Sequence, residues 1–284
     1  MSTPFDFRKQ LDELWENNKG SYILDSDLSE YTKTILAPNI ERIPPLYRYV
    51  PADYYNIRCL ETRSIFLSEI GRMNDIFEGL TGEIDDAVIK RIDKLSDAVY
   101  LKCFSENRES LLMWSTYADN YAGMCIEYDL RKLEDVYLCH LFPVRYSNIR
   151  NTKAAPYALI QDLEWMRRDI EDGNSPLDND GVRDIVASFL TKSMEWKYEA
   201  EWRLIVTYLH LKLDVDWKTD NELESLYGIN KQLIEFDHIR SVRLGPKMKR
   251  NIKDHIIEIC RKLDIDVYET QISRDEYKLD EIKL

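Results

Sequence analysis

From Val99 to Phe104 the chain alternates, with Val99, Leu101 and Cys103 set against Tyr100, Lys102 and Phe104. A period of two puts those sets on opposite faces, as in a half-buried strand. Strand character recurs in LYRYV at 46–50, TRSIFLS at 62–68, MCIEYDL at 124–130 and LFPVRYS at 141–147. Pro143 in the last of these predicts an edge or a bulge. The strongest strand signal is WKYEAEWRLIVTYL at 196–209, and a late strand is expected near DVYETQI at 266–272. Elsewhere the apolar residues follow a helical period. Phe7, Leu11, Leu14 and Trp15 share one face, and Leu28, Tyr31 and Ile35 predict a second short helix. Ile84, Val88, Ile92 and Leu95 mark another, as do Leu159, Leu163, Met166 and Ile170. Ile252, Ile256, Ile259 and Leu263 mark the last, and Ile185, Phe189, Leu190 and Ser193 predict a helix ahead of the long strand. Asn107 is placed to cap NRESLLMWSTYADNYAG, which Gly123 would end. GRMNDIFEG at 71–79 and EDGNSPLDNDG at 171–181 read as loops, the second as a lid or insert.

Helices and strands mix without strict βαβ alternation, which predicts an α+β fold. The expected architecture is a single core around a central mixed or mainly antiparallel sheet flanked by helices. Pro44 and Pro45 close the helical start. They divide the chain into an N-terminal helical extension at 1–44 and an α+β domain at 45–284.

Composition narrows the function classes. The chain is 44% hydrophobic and 32% charged, which suits a globular protein and argues against extensive disorder. A net charge of −13 repels phosphate backbones and excludes a general nucleic-acid binder, while still permitting a local basic cleft. No segment approaches the roughly 18 apolar residues that span a bilayer, so no membrane partner is expected. MSTPFDFRKQLDELWENN is too charged for a secretory signal, which predicts a cytoplasmic protein. The five cysteines are scattered and never form CxxC, and Cys103, Cys125 and Cys260 lie in apolar patterns that read as reduced core residues, so a structural zinc site is not expected.

Three groups of motifs carry a resemblance. They are LYRYV at 46–50 with SIFLSEIGRMNDIFEG at 64–79, CFSENRESLLMWSTYADNYAGMCIEYD at 103–129, and KSMEWKYEAEWRLI at 192–205 followed by RLGP at 243–246. Their order and wording are similar to the bacterial domain-of-unknown-function family 2971, over roughly residues 45–270. Within them, Glu199 and Glu201 stand two apart at the entrance of a strand, where alternation would put both carboxylates on one face. Like charges that close raise at least one proton affinity when partly buried.

Arg48, the strand-end Ser105 and the Glu-x-Glu follow the chain order of the Arg–Ser–Glu triad of ADP-ribosyltransferases, and the resemblance implies their chemistry. Glu201 would hold the ribose hydroxyls of NAD and stabilise an oxocarbenium-like centre. Arg48 would hold the diphosphate or the adjacent ribose. Ser105 would orient the glutamate or the nicotinamide end, and Glu199 would deprotonate an acceptor. Tyr47, Tyr49, Trp114 or Tyr198 would stack on the nicotinamide. This is the chemistry of a bacterial effector or toxin that uses NAD as substrate, passes ADP-ribose to an acceptor and needs no metal. The pattern departs from the transferases in having CFSE where an S-T-S type strand is common, and in the long spacing from Ser105 to Glu201.

Other readings stand beside this one. Asn74, Asp75 and Glu78 could join Glu199 and Glu201 in a metal-dependent nuclease or phosphodiesterase. A non-catalytic module binding a small molecule or a protein would use the same aromatic cleft. In the plainest reading, Glu199, Glu201 and Arg203 are a salt-bridged surface, Trp114 and Tyr117 pack the core, and Ser105 with Asn107 is a strand exit and helix cap. None of His140, His210, His238 and His255 enters a Ser–His–Asp or Cys–His arrangement.

Overall fold

The computed structural model describes residues 5–17, 31–69, 73, 75, 99–133, 141–148, 189–207 and 233–284. The first elements are helix α1 (Phe7–Asn17), strand β1 (Leu46–Val50), helix α2 (Tyr54–Glu61) and the short strands β2 (Ser64–Phe66) and β3 (Ser68–Glu69). Strand β4 (Val99–Ser105), helix α3 (Leu111–Tyr117) and strands β5 (Met124–Tyr128), β6 (Leu141–Pro143) and β7 (Arg145–Tyr146) follow. The rest is β8 (Thr191–Lys192), β9 (Glu201–Thr207), β10 (Leu233–Glu235), β11 (Ile239–Leu244), helix α4 (Arg250–Leu263), β12 (Asp266–Ile272) and β13 (Leu279–Lys283).

Nine strands make one sheet in the order β13-β12-β11-β5-β1-β4-β9-β6, with β3 also against β4. All its pairings are antiparallel except β11 with β12, which α4 connects. The fold is therefore α+β around a mixed, mainly antiparallel sheet. Burial places the largest core cluster on residues such as Leu46, Val50, Phe104, Ile126, Trp202 and Leu204. Ile256, Ile259 and Cys260 of α4 pack into it, on the face read from their spacing. Phe7 and Leu11 of α1 belong to the same cluster, with Phe7 edge-on to Trp202 at 5.4 Å between centroids. A smaller cluster under α3 joins Tyr47, Tyr49, Met113, Trp114, Ala118 and Cys125.

Several elements differ from the sequence reading for physical reasons. Ser110, not Asn107, caps α3 by accepting from the Met113 amide at 3.3 Å, while the Asn107 side chain accepts from the Glu109 amide. The helix stops at Tyr117, before Gly123, because Asp119, Asn120 and Tyr121 take left-handed backbone angles. Gly123 serves close packing: a Cβ there would lie 2.2 Å from the Val50 carbonyl oxygen. Gly245 donates to the Gly123 carbonyl at 2.9 Å and is equally confined. TRSIFLS and LFPVRYS each divide into two short strands, and Pro143 does lie on the edge strand β6. Residues 189–193 form a turn and β8 rather than the end of a helix. Tyr31 is buried and leads into one π turn and one 3-10 turn spanning 32–42. The helices expected around Ile84–Leu95 and Leu159–Ile170, and the loop at 171–181, lie outside the described residues.

Candidate functional site

Strand β4 is paired along one whole edge by β9. Its other edge is shared. Strand β1 reaches it through the single pair Tyr47–Ser105, and β3 takes over at Leu101 and Tyr100. β1 keeps its full five-residue ladder with β5, so it splays away from β4 and the sheet forks. In the gap, Arg48 Nη1 donates to the Cys103 carbonyl oxygen at 2.9 Å. A cavity of about 200 Å³ occupies this fork. Its walls include Tyr47 and Arg48 of β1, Cys103 and Ser105 of β4, Tyr117 of α3, and a charged group formed by Lys192, Glu199 and Glu201.

That charged group is built by a local distortion. Residues Met194–Glu199 wind into a 3-10 helix, and Ala200 turns left-handed at φ 44° before β9 begins. Glu199 and Glu201 thus do not alternate along one strand as expected. They still converge, because Lys192 Nζ donates to Glu199 Oε2 at 2.6 Å and to Glu201 Oε2 at 3.1 Å. Arg203, two residues along β9, grips Glu201 with Nε at 2.8 Å and Nη2 at 3.2 Å. Its Nη1 donates to the Phe189 carbonyl at 2.6 Å, so the guanidinium is tied on three sides. The Tyr117 hydroxyl makes a short hydrogen bond to the other carboxylate oxygen of Glu199. The Lys192 ammonium also lies 4.7 Å from the Trp196 ring centroid.

The two carboxylates are nearly equally buried, Glu199 at 3% and Glu201 at 2% exposure, but their proton affinities part. Burial raises Glu199, and the charge of Glu201 adds to it, against the lowering effect of Lys192 and Tyr117. Burial would raise Glu201 as well, but the charges of Arg203 and Lys192 outweigh it and hold the group below the usual carboxylate range. One site therefore contains a carboxylate that stays ionised and a neighbour that takes up a proton more readily.

Other predicted residues fall into place around this pair. Ser105, 1% exposed, donates from Oγ to the Glu199 carbonyl at 2.5 Å and accepts from the Asn107 amide at 2.9 Å. It fixes the Glu199 backbone rather than its carboxylate. Tyr47 and Tyr49 line the cavity, and the Tyr49 hydroxyl donates to the carbonyls of Asn107 and Arg108. Trp114 lies behind them, edge-on to Tyr49 at 5.3 Å, with no place on the cavity wall. Tyr198 is packed against the same aromatic cluster and is likewise off the wall. Arg48 alternates with Tyr47 and Tyr49, so it reaches the cavity from the opposite face of the sheet.

The surface salt-bridge reading of Glu199, Glu201 and Arg203 gives way to a buried network, since Arg203 is 0% exposed. Four contributors went unassigned in the sequence: Lys192, Tyr117 as a partner of Glu199, Arg8 and Tyr146. Lys192 stands at the head of the third motif, which was the available signal. Arg8 and Tyr146 had none, because they act on the Glu201 backbone: Arg8 Nη2 donates to its carbonyl at 2.6 Å, and its amide donates to the Tyr146 hydroxyl at 2.7 Å. Asp75 is buried, while Asn74 and Glu78 lie outside the described residues. Among the described residues, no group of three or more His, Cys, Asp or Glu side chains is placed to hold a metal ion.

Fold and site together define an α+β protein with a buried acid pair at a fork in its sheet. The family model described as "Protein of unknown function (DUF2971)" matches residues 113–204, bearing out the family resemblance over that stretch. The matched segment supplies Tyr117, Lys192, Glu199 and Glu201, while Tyr47, Arg48 and Ser105 precede it. No curated protein and no solved structure matches the chain. No helix among the described residues is long and apolar enough to cross a membrane.

Proposed function

We propose that the fork cavity receives the nicotinamide–ribose end of NAD and that the Glu199–Glu201 pair transfers ADP-ribose from it to an acceptor. The observation that carries this reading is the unlike proton affinity of two adjoining carboxylates at one cavity wall, the arrangement that divides acid–base roles. Glu201, kept ionised, would stabilise positive charge developing at the ribose as the bond to nicotinamide breaks and its electron pair leaves with the ring. Glu199, with its raised proton affinity, would take the proton of the acceptor as the acceptor's electron pair bonds to the same ribose carbon. Tyr47, Tyr49 and Tyr117 offer aromatic surface for the nicotinamide, with Trp114 and Tyr198 supporting them from behind. Ser105 holds the Glu199 backbone in register. A volume of about 200 Å³ is below the roughly 300–1,000 Å³ of sites that enclose a whole ligand, so the adenosine half would extend beyond this cavity.

The metal-dependent alternative has less support, because Lys192 and Arg203 already neutralise the carboxylates it would use. Calorimetric titration with NAD, paired with an assay of nicotinamide release, tests the proposal. Wild type should bind NAD and release nicotinamide, and Glu199→Gln should bind it while releasing about 10²- to 10⁴-fold more slowly. A folded wild type that shows no heat at millimolar NAD would overturn the transferase reading and leave a binding module for another ligand.

A further inference from the structure

Glu199 holds a proton donor of the chain's own. The Tyr117 hydroxyl donates to its Oε1, while Lys192 Nζ bonds its Oε2 at 2.6 Å and Glu201 Oε2 at 3.1 Å. Tyr117, Glu199, Lys192 and Glu201 therefore form one row of contacts, and all four border the fork cavity. Tyr117 is the last residue of α3 and is only partly buried, so its ring and hydroxyl are reachable from the cavity.

Other nucleophilic groups on this wall are committed elsewhere. Ser105 gives its hydroxyl proton to the Glu199 carbonyl, and Tyr49 gives its own to the carbonyls of Asn107 and Arg108. Lys192, held as an ammonium by two carboxylates, has no lone pair to offer. The Cys103 thiol bonds to Glu201, the carboxylate that stays ionised. Tyr117 shares its proton with the other carboxylate, the one that takes a proton up more readily. A phenol paired in this way with a carboxylate base is an activated oxygen nucleophile, and tyrosines serve as such at the anomeric carbon of sugars.

We propose that Tyr117 is itself the acceptor of the ADP-ribosyl group, so that the protein modifies its own cavity wall. Such self-modification rests on the transferase reading of the cavity and names the acceptor that reading leaves open. As the bond from the ribose carbon to the nicotinamide nitrogen breaks, its electron pair leaves with the ring as neutral nicotinamide. A lone pair of Tyr117 Oη bonds to the same carbon, and the phenolic proton passes to Glu199 and from there to water. Because Tyr117 lines the cavity, the attached group occupies the space that a second NAD needs. The modification is thus a brake that stops each molecule after one transfer.

The test incubates the full chain with NAD and follows released nicotinamide, the intact mass and the modified peptide by tandem mass spectrometry. Wild type should gain the mass of a single ADP-ribosyl group, located on Tyr117, and nicotinamide release should level off near one equivalent per chain. Tyr117→Phe keeps the ring and should gain no such group, with its thermal unfolding measured alongside. Glu199→Gln should form the adduct about 10²- to 10⁴-fold more slowly. An adduct located only on other residues, or one that persists in Tyr117→Phe, overturns self-modification at Tyr117. Sustained nicotinamide release with Tyr117 unmodified overturns it as well, and leaves the transferase reading standing. The absence of both release and adduct overturns the two together. Mapping on wild type decides the question even where Tyr117→Phe fails to fold.

Discussion

Glu199 and Glu201 are one residue type two positions apart, and the sheet fork drives their protons in opposite directions. For Glu201 the folded-state pKa is depressed, to about 2 from an ordinary 4.5. Its contribution is therefore present above pH 4.5 and lost as pH falls toward 2. Glu199 has the opposite sign: its proton is bound more tightly in the folded state, so its contribution is full below pH 4.5 and declines as pH rises above that value. Two substitutions separate these effects. Glu201→Gln removes the buried negative charge that faces Arg203 and should cost roughly 3–5 kcal/mol at neutral pH by denaturant unfolding. Its acid limb between pH 4.5 and 2 should be shallower than that of wild type. Glu199→Gln leaves Lys192 its bond to Glu201, so its cost should be about 1 kcal/mol and should shrink from pH 4 to pH 7. Equal, pH-independent penalties for the two variants would contradict the assignment. The alternation argument expected the two carboxylates to converge, and they do, but for a partly different reason. Ala200 takes a left-handed angle that residue type does not announce, and Lys192 performs the joining that a shared strand face was expected to perform.

Among the elements, strands were more legible than their ends. Val99–Ser105 alternates over its whole length because both its faces are set by neighbours in one sheet, and the pattern gave its limits closely. α3 was read too long, since a helical period persists through residues whose backbone leaves the helix at Asp119. The C-terminal β13, with sequence LDEIK, offers too weak an apolar pattern to call a strand and forms by pairing with β12. Glycine at 123 was read as a helix stop, but its role is contact between elements: β1, α3 and the turn after β11 meet there with no room for a methyl group. Gly123→Ala should destabilise by about 3 kcal/mol, above the roughly 1 kcal/mol of an average substitution. Gly245→Ala should do likewise, and because the two backbones touch, the double variant should lose less than the sum of the two. Strict additivity in urea titrations would show that the two close approaches are independent.

Over the whole molecule, the first helix is joined to the site by charge as well as by packing. Arg8 bonds the carbonyls of Val144 and Glu201 and pairs with Glu106, which in turn accepts from the Trp202 indole. Arg145 pairs with Asp12 from the other side. Helix amphipathicity showed that α1 had an apolar face but could not show what it covers, because the partner strands lie more than a hundred residues away in sequence. Phe7→Ala should cost about 3–5 kcal/mol, the usual range for deleting a buried ring. The loss should appear in the same transition that Trp fluorescence follows, since Phe7 touches Trp202. A separate, earlier transition for the N-terminal residues would instead mark them as an independent unit.

Among the described residues, β6 and β13 end the main strand order of the sheet, and both set limits on how molecules of this protein can meet. One margin is β6, three residues long with proline at its end, so it lacks one of the amide donors a visiting strand would require. The other is β13, the last strand of the order among the described residues, where Asp280, Glu281 and Lys283 place charge along the strand. An incoming chain that tried to lengthen the sheet would find a short, donor-poor edge on one side and charge to desolvate on the other. Crowding in a concentrated solution should therefore press these molecules together through their faces and loops, and seldom by strand addition into fibrils.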